Sequence, residues 1–381
     1  MGARWANLLI GGGLLVFVAA LLLDDSEFTP PPEIEAQVRA AALPPLVVPA
    51  GNPVTEDAVE LGRHLFYDRR LSVNESIACA SCHRQELAFT DGRRLSPGAT
   101  GEMTKRNAMS LTNVAYNGVF TWADNTLTSL EQQALVPLLG EHPLEMGLAG
   151  NEDAALARLS ADPRYEALFA AAYGDNAITF ENVVRALATF QRRLVSLNSP
   201  YDRYLAGDAA ALSPSAQRGL ELFFSETLKC ARCHGGANFR FTPGHRRDDS
   251  DQSVAFHNTG LYNLDGSGAY PARDRGLFDL TGVDSDMGRF KAPTLRNIAL
   301  TAPYMHDGSI ATLDEVLAHY ARGGRRIETG PDAGDGRLSP LKSELVAGFV
   351  LTEEETEHVL AFLHSLTDEE FVADGALADP F

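Results

Sequence analysis

Cys79-Ala-Ser-Cys-His83 decides how this chain is read, and Cys230-Ala-Arg-Cys-His234 repeats it. A Cys-x-x-Cys-His run is the mark of c-type haem attachment. Two thiols three residues apart lie on one turn of helix and can both bond the vinyl groups of one porphyrin. The adjacent histidine then reaches the iron from the proximal side. One copy alone could be a redox or zinc site, but two copies use all four cysteines of the chain. The sequence therefore predicts two c-type haems, one held by Cys79, Cys82 and His83, the other by Cys230, Cys233 and His234. With every thiol committed to a thioether, no disulfide is expected.

A chain of 381 residues exceeds what one core usually fills, and each expected half carries one motif. The reading is two mostly α-helical, cytochrome c-like domains at residues 51–205 and 206–381. The net charge of −19 argues against nucleic acid or an anionic membrane surface as partner. Residues 1–23 begin with a basic start, then run apolar from Leu8 to Leu23. That pattern fits an export signal or an uncleaved membrane anchor, and either places the folded part outside the cytoplasm, in the periplasm. Residues 24–50 are rich in proline and acid and read as an extended tether.

Regular structure is expected from Thr55, a cap followed by acids and an apolar stripe through Leu61 and Leu65. His64 on that helix is read as packed or solvated rather than as a ligand. The loop after His83, from Thr90 to Lys105, contains no histidine. Leu130–Pro137 reads as a helix ended by a turn carrying His142, and residues 151–173 and 177–197 as two amphipathic core helices. The second half opens at Leu212–Phe223, repeating the helix-then-haem order, a sign of internal duplication. Further helices are expected at Thr312–Ala321 and Thr352–Leu366, the last with a capping box. No segment alternates as a strand.

These residues resemble the dihaem cytochrome c peroxidase and MauG superfamily, from Asn52 to Thr367. The resemblance rests on both haem motifs, Leu65-Phe-Tyr-Asp-Arg-Arg-Leu-Ser72, Pro293-Thr-Leu-Arg-Asn297 and Ala302-Pro-Tyr-Met-His-Asp-Gly308. The run from Ser129 to Gly147 looks most like the MbnH branch. Members of that branch are periplasmic enzymes that use peroxide to oxidise a tryptophan to kynurenine on a copper-binding partner, MbnP.

The resemblance implies several roles. In peroxidases of this superfamily, the loop after the first motif supplies a histidine that caps the iron. Here that loop falls around Ala99 and lacks one, so the first iron should keep only His83. Glu145 matches the distal acid–base residue, with Gln133 orienting hydrogen peroxide and Pro137 shaping the pocket wall. Tyr320 matches the sixth ligand of the second iron where the peroxidases use methionine. Its rivals are His319, Met305 and Met287, and His319 points about 100° away around the same helix. Trp122 matches the tryptophan that carries charge between the haems. Asn107, with main-chain oxygens of Thr301 and Pro303, matches a calcium site, and His306 lies nearby. Leu228 stands where MauG has a tryptophan that leads to its own substrate. The expected activity is a peroxide-dependent oxidase that stores oxidising equivalents across two haems and attacks a partner protein. The alternative is a cytochrome c peroxidase fed by a small cytochrome.

Overall fold

The computed structural model describes residues 43, 45–175, 177–240 and 256–381. The signal or anchor expected at residues 1–23 and nearly all of the tether lie outside the described residues. Among the described residues no helix is long and apolar enough to cross a membrane. The helices are α1 (Glu56–Tyr67), α2 (Leu130–Leu139), α3 (Glu152–Ser160), α4 (Pro163–Tyr173), α5 (Phe180–Arg193), α6 (Pro200–Leu205), α7 (Pro214–Phe224), α8 (Phe278–Thr281), α9 (Leu313–Ala321), α10 (Glu353–His364) and α11 (Glu369–Ala373). Among the described residues the strands form two antiparallel pairs, β1 (Phe256–His257) with β2 (Phe290–Lys291), and β3 (Arg326–Ile327) with β4 (Gly334–Asp335). The expected mostly helical class holds.

Helix starts follow local chemistry. Thr55, Ser213, Thr312 and Thr352 each accept a first-turn backbone N–H, and Thr312 and Thr352 form full capping boxes with Glu315 and Glu355. Other boundaries differ from the sequence reading. Residues 151–173 form two helices, because Asp162 caps a new helix whose first residue is Pro163; proline suits that position and no interior one. Helix α2 does not stop at Pro137 but runs to Leu139. Proline there lacks the N–H that would bond the Gln133 carbonyl, a loss tolerated in a last turn. The final helical stretch stops at His364, and α11 follows it.

Two helix pairs dominate the packing, and they match. Helix α1 crosses α5, and a Cβ on Gly62 would overlap the Ala186 carbonyl. Helix α7 crosses α10, and a Cβ on Gly219 would overlap the His358 carbonyl. In both pairs glycine permits backbone-to-backbone contact just ahead of a haem motif. The duplication extends further. Asn113 and Asn297 both adopt left-handed conformations, at φ 53° and 61°. The Asn113 N–H donates to Leu194 O after α5, and the Asn297 N–H donates to Leu366 O after α10, both at 2.9 Å. Their side-chain oxygens accept from the N–H of Ser196 and of Asp368, two residues further on in each case.

Each pair seeds a core. The first gathers Leu65, Phe66, Phe89, Leu187 and Phe190, and also Phe371 and Leu377 from the chain's last residues. The second gathers Leu220, Phe223, Phe239, Val359 and Phe362. A fully buried phenylalanine contributes roughly 1.5–3 kcal/mol. Gly62→Ala and Gly219→Ala should each cost about 3 kcal/mol, since neither backbone can yield. Thermal unfolding of both variants checks this, and wild-type stability in either would refute the close crossing.

Candidate haem sites

Both Cys-x-x-Cys-His segments fold as the same tight turn. Cys82 and His83 donate their N–H groups to Cys79 O at 3.1 and 3.0 Å, and Cys233 and His234 do so to Cys230 O at 3.2 and 2.9 Å. Each turn brings its two thiols close enough for their charges to oppose one another. Burial pushes the Cys79 and Cys230 thiols up to about 12 and those of Cys82 and Cys233 to about 11.

A carbonyl aims each imidazole. His83 Nδ1 lies 2.8 Å from Phe89 O, and His234 Nδ1 lies 3.3 Å from Phe239 O and 3.1 Å from Pro293 O. A bond at Nδ1 fixes the tautomer and leaves Nε2 for iron. Burial lowers the pKa of His83, and that of His234 to about 4, so both rings are neutral bases at physiological pH. Phe89 and Phe239 hold left-handed backbones, φ 61° and 48°, a conformation that costs a bulky residue of order 1–3 kcal/mol.

The second motif opens onto an apolar cavity. Cys230, Cys233, His234 and Tyr320 line it, with Leu261, Leu317 and Leu363 among its walls. Two thiols, a neutral imidazole and an apolar cradle fit a porphyrin. Tyr320 on α9 faces the same space as the thiols, whereas the neighbouring His319 turns its Nε2 to Thr259 O at 3.0 Å. Burial raises the Tyr320 phenol well above its ordinary range. Of the rival residues, Met305 also lines the cavity, and Met287 packs against the second core. His257 lines it too, and nothing in the sequence around it announced that. Its position depends on the pairing of β1 with β2, a contact between residues far apart in the chain.

Around the first motif, Glu145 sits close enough to Cys79 and Cys82 for its charge to disfavour both thiolates. Burial raises the carboxyl of Glu145 above its ordinary range. The histidine-free loop lies directly upon this residue. Ala99 N–H donates to Glu145 O at 2.8 Å, and a Cβ on Gly98 would overlap the Leu144 carbonyl. Met146 N–H donates to Pro137 O at 2.9 Å, tying Glu145 to the end of α2. Gln133 stands four residues before Pro137, hence on the same helix face.

Trp122 joins the halves. It lines the second cavity, its Nε1 donates to Asn107 O at 2.8 Å, and its carbonyl accepts from Lys291 N at 2.7 Å. Asn107 N–H donates to His306 O at 2.7 Å, which brings Asn107 against the loop that carries Thr301 and Pro303. His306 stacks flat on Phe290, with centroids 3.5 Å apart. Its pKa is lowered to about 4, by burial foremost. His64 stays away from both sites, its Nδ1 3.0 Å from Glu60 O.

A family model described as di-haem cytochrome c peroxidase matches residues 56–210. The chain is 38% identical over 340 residues to cytochrome-c peroxidase IdrP1 of Denitromonas iodatirespirans, covering 85% of each protein. It is 34% identical over 369 residues to methylamine utilization protein MauG of Methylorubrum extorquens, covering 96% of this chain and 94% of that one. The chain belongs to the di-haem cytochrome c peroxidase and MauG family. It is therefore a haem-dependent oxidoreductase that uses peroxide and carries two c-type haems. Among solved structures, a MauG-like protein associated with microbial copper homeostasis superposes with a TM-score of 0.85 at 50% identity, over 89% of this chain and 97% of the other.

In this di-haem enzyme, the resting ferric state should give one high-spin and one low-spin signal in electron paramagnetic resonance. Tyr320→Phe should abolish the low-spin signal and His319→Ala should leave it. Two low-spin haems in the wild type would refute an open first site.

Proposed function

We propose that this protein is a periplasmic oxidase that uses hydrogen peroxide to convert a tryptophan of a partner protein to kynurenine. The partner would be a copper-binding, MbnP-like protein. One observation carries this reading: the 50% identity, over nearly the whole chain, to a MauG-like protein associated with copper homeostasis.

In this reading the two domains, residues 51–205 and 206–381, divide the work. Cys79, Cys82 and His83 would hold the haem whose iron would supply the chemistry toward peroxide, and Cys230, Cys233 and His234 would hold a second haem that would supply storage of oxidising equivalents. Glu145 takes the proton from one peroxide oxygen and delivers it to the other, a transfer that suits a half-buried carboxylate with a raised pKa. Gln133 orients the peroxide, and Pro137 closes the wall beside it. Tyr320 would offer the second iron a hard anionic oxygen, which would favour its oxidised state. Trp122 passes charge between the halves. A calcium ion on Asn107 and the carbonyls of Thr301 and Pro303 stiffens their junction, since uncharged oxygens suit a hard cation. Leu228, buried where MauG has tryptophan, supports a route to the partner unlike the one in MauG.

A cytochrome c peroxidase fed by a small cytochrome is the second reading, favoured by the 38% identity to IdrP1. The two separate cleanly. The haem-loaded protein, given peroxide and a copper-binding, MbnP-like protein, should convert one partner tryptophan to kynurenine, as read by peptide mass spectrometry. Many turnovers of peroxide reduction by a reduced small cytochrome, with the partner unmodified, would establish the peroxidase instead.

Glu145 provides a separate check. Its carboxyl must ionise before it can accept a proton, so the rate of reaction with peroxide should rise with pH. The rise should come above the ordinary carboxylate range, about 4, because burial raises this group. Glu145→Gln should slow the stopped-flow rate about 10²-fold or more and flatten that rise, with both haems still attached.

A further inference from the structure

Two cations are buried side by side where the halves meet. Lys291 is 2% exposed and Arg240 4% exposed. Among the described residues neither has a carboxylate partner. Lys291 Nζ donates only to the carbonyls of Val119 at 3.3 Å and Phe120 at 3.1 Å, which leaves a third N–H uncommitted. Arg240 donates from one terminal nitrogen to Asn117 Oδ1 at 3.2 Å, and its buried Nε has no partner.

Burying one uncompensated charge costs several kcal/mol, and two like charges within reach of each other cost more. Desolvation accordingly lowers Arg240 to about 10 and Lys291 well below its ordinary value, with Arg240 opposing the Lys291 charge as the next cause. Such a pair persists in a fold when an anion completes it. Lys291 also lines the cavity that holds Cys230, Cys233, His234 and Tyr320. What belongs in that cavity carries two carboxylates on one edge and is apolar elsewhere. The rest of the lining is largely apolar, so the carboxylate edge is best placed at the cations.

We propose that Lys291 and Arg240 bind the propionate carboxylates of the second haem, which fixes the porphyrin's rotation in its cavity. The consequence reaches Trp122, because the Lys291 backbone N–H is bonded to the Trp122 carbonyl at 2.7 Å. The propionate edge is thereby set against the residue that joins the two halves.

The test uses the haem-loaded full-length protein. A crystal structure should place a propionate oxygen about 2.7–3.2 Å from Lys291 Nζ or an Arg240 nitrogen. Potentiometric titration should show the potential of the second haem shifted downward in Lys291→Met and in Arg240→Met. Removing a neighbouring cation disfavours the reduced iron, whereas a lysine that only fills space leaves the potential where it was. Lys291→Arg should fold and keep the wild-type potential. The proposal is overturned if the propionates lie elsewhere, or if both cations prove to be paired with protein carboxylates. An unmoved potential in a folded Lys291→Met protein also overturns it. Should the methionine variants fail to fold, the crystal structure of the wild type alone decides.

Discussion

The interaction on which most else depends is the bond between each proximal imidazole and the carbonyl of a left-handed phenylalanine. Phe89 turns its oxygen to His83, and Phe239 turns its oxygen to His234. A phenylalanine holds a positive φ only when its surroundings dictate it. Here they do. The Phe89 ring packs against Phe66 of α1 and Phe371 of α11, with centroids 6.0 and 5.6 Å apart. The Phe239 ring packs against Tyr201, Phe223 and Phe362, at 5.0, 6.0 and 6.0 Å. The hydrophobic core therefore sets the carbonyl, the carbonyl sets the ring, and Nδ1 is the nitrogen it engages, so that Nε2 is left for a ligand. Core packing and ligand geometry are one problem in this fold.

Much of this was legible in the sequence because it is local. The two haem motifs need only their own five residues, and the capped helix starts at Thr55, Ser213, Thr312 and Thr352 need only three or four. The duplication showed in the repeated order of helix and motif. Its deeper part did not show. The pairing of Asn113 with Ser196 and of Asn297 with Asp368 spans roughly seventy to eighty residues in each half, and no local pattern encodes it. The break at Pro163 is legible too, since Asp-Pro at a helix start is a strong signal. Helix α11 was not legible, because its short apolar stripe gains meaning only against Phe89.

The site divides along the same line. Motif spacing places Cys79, Cys82, His83 and their counterparts, and helix periodicity separates Tyr320 from His319. The cavity lining of His257 and Lys291 comes from strand pairing between distant residues. The hold of the 96–104 loop on Glu145 also joins distant residues, through the Ala99–Glu145 main-chain bond, the Leu144 N–H donated to the Glu102 carboxylate, and the missing side chain of Gly98.

A duplicated frame that performs two tasks must differ somewhere, and the differences lie at the far side of each haem. Behind both motifs the scaffold repeats almost residue for residue: glycine crossing, tight turn, left-handed phenylalanine, left-handed asparagine. In front of them it does not. The first motif faces a loop without histidine, pinned to the main chain of Glu145, whose half-buried carboxyl has a raised pKa. The second faces α9 and the Tyr320 phenol across an apolar cavity. One arrangement sets a carboxyl with a raised pKa near the thiols. The other sets a buried phenol at the edge of an apolar cavity. Since the supporting parts are the same, the two sites differ chiefly in what faces the thiols: Glu145 beside the first pair and Tyr320 beside the second.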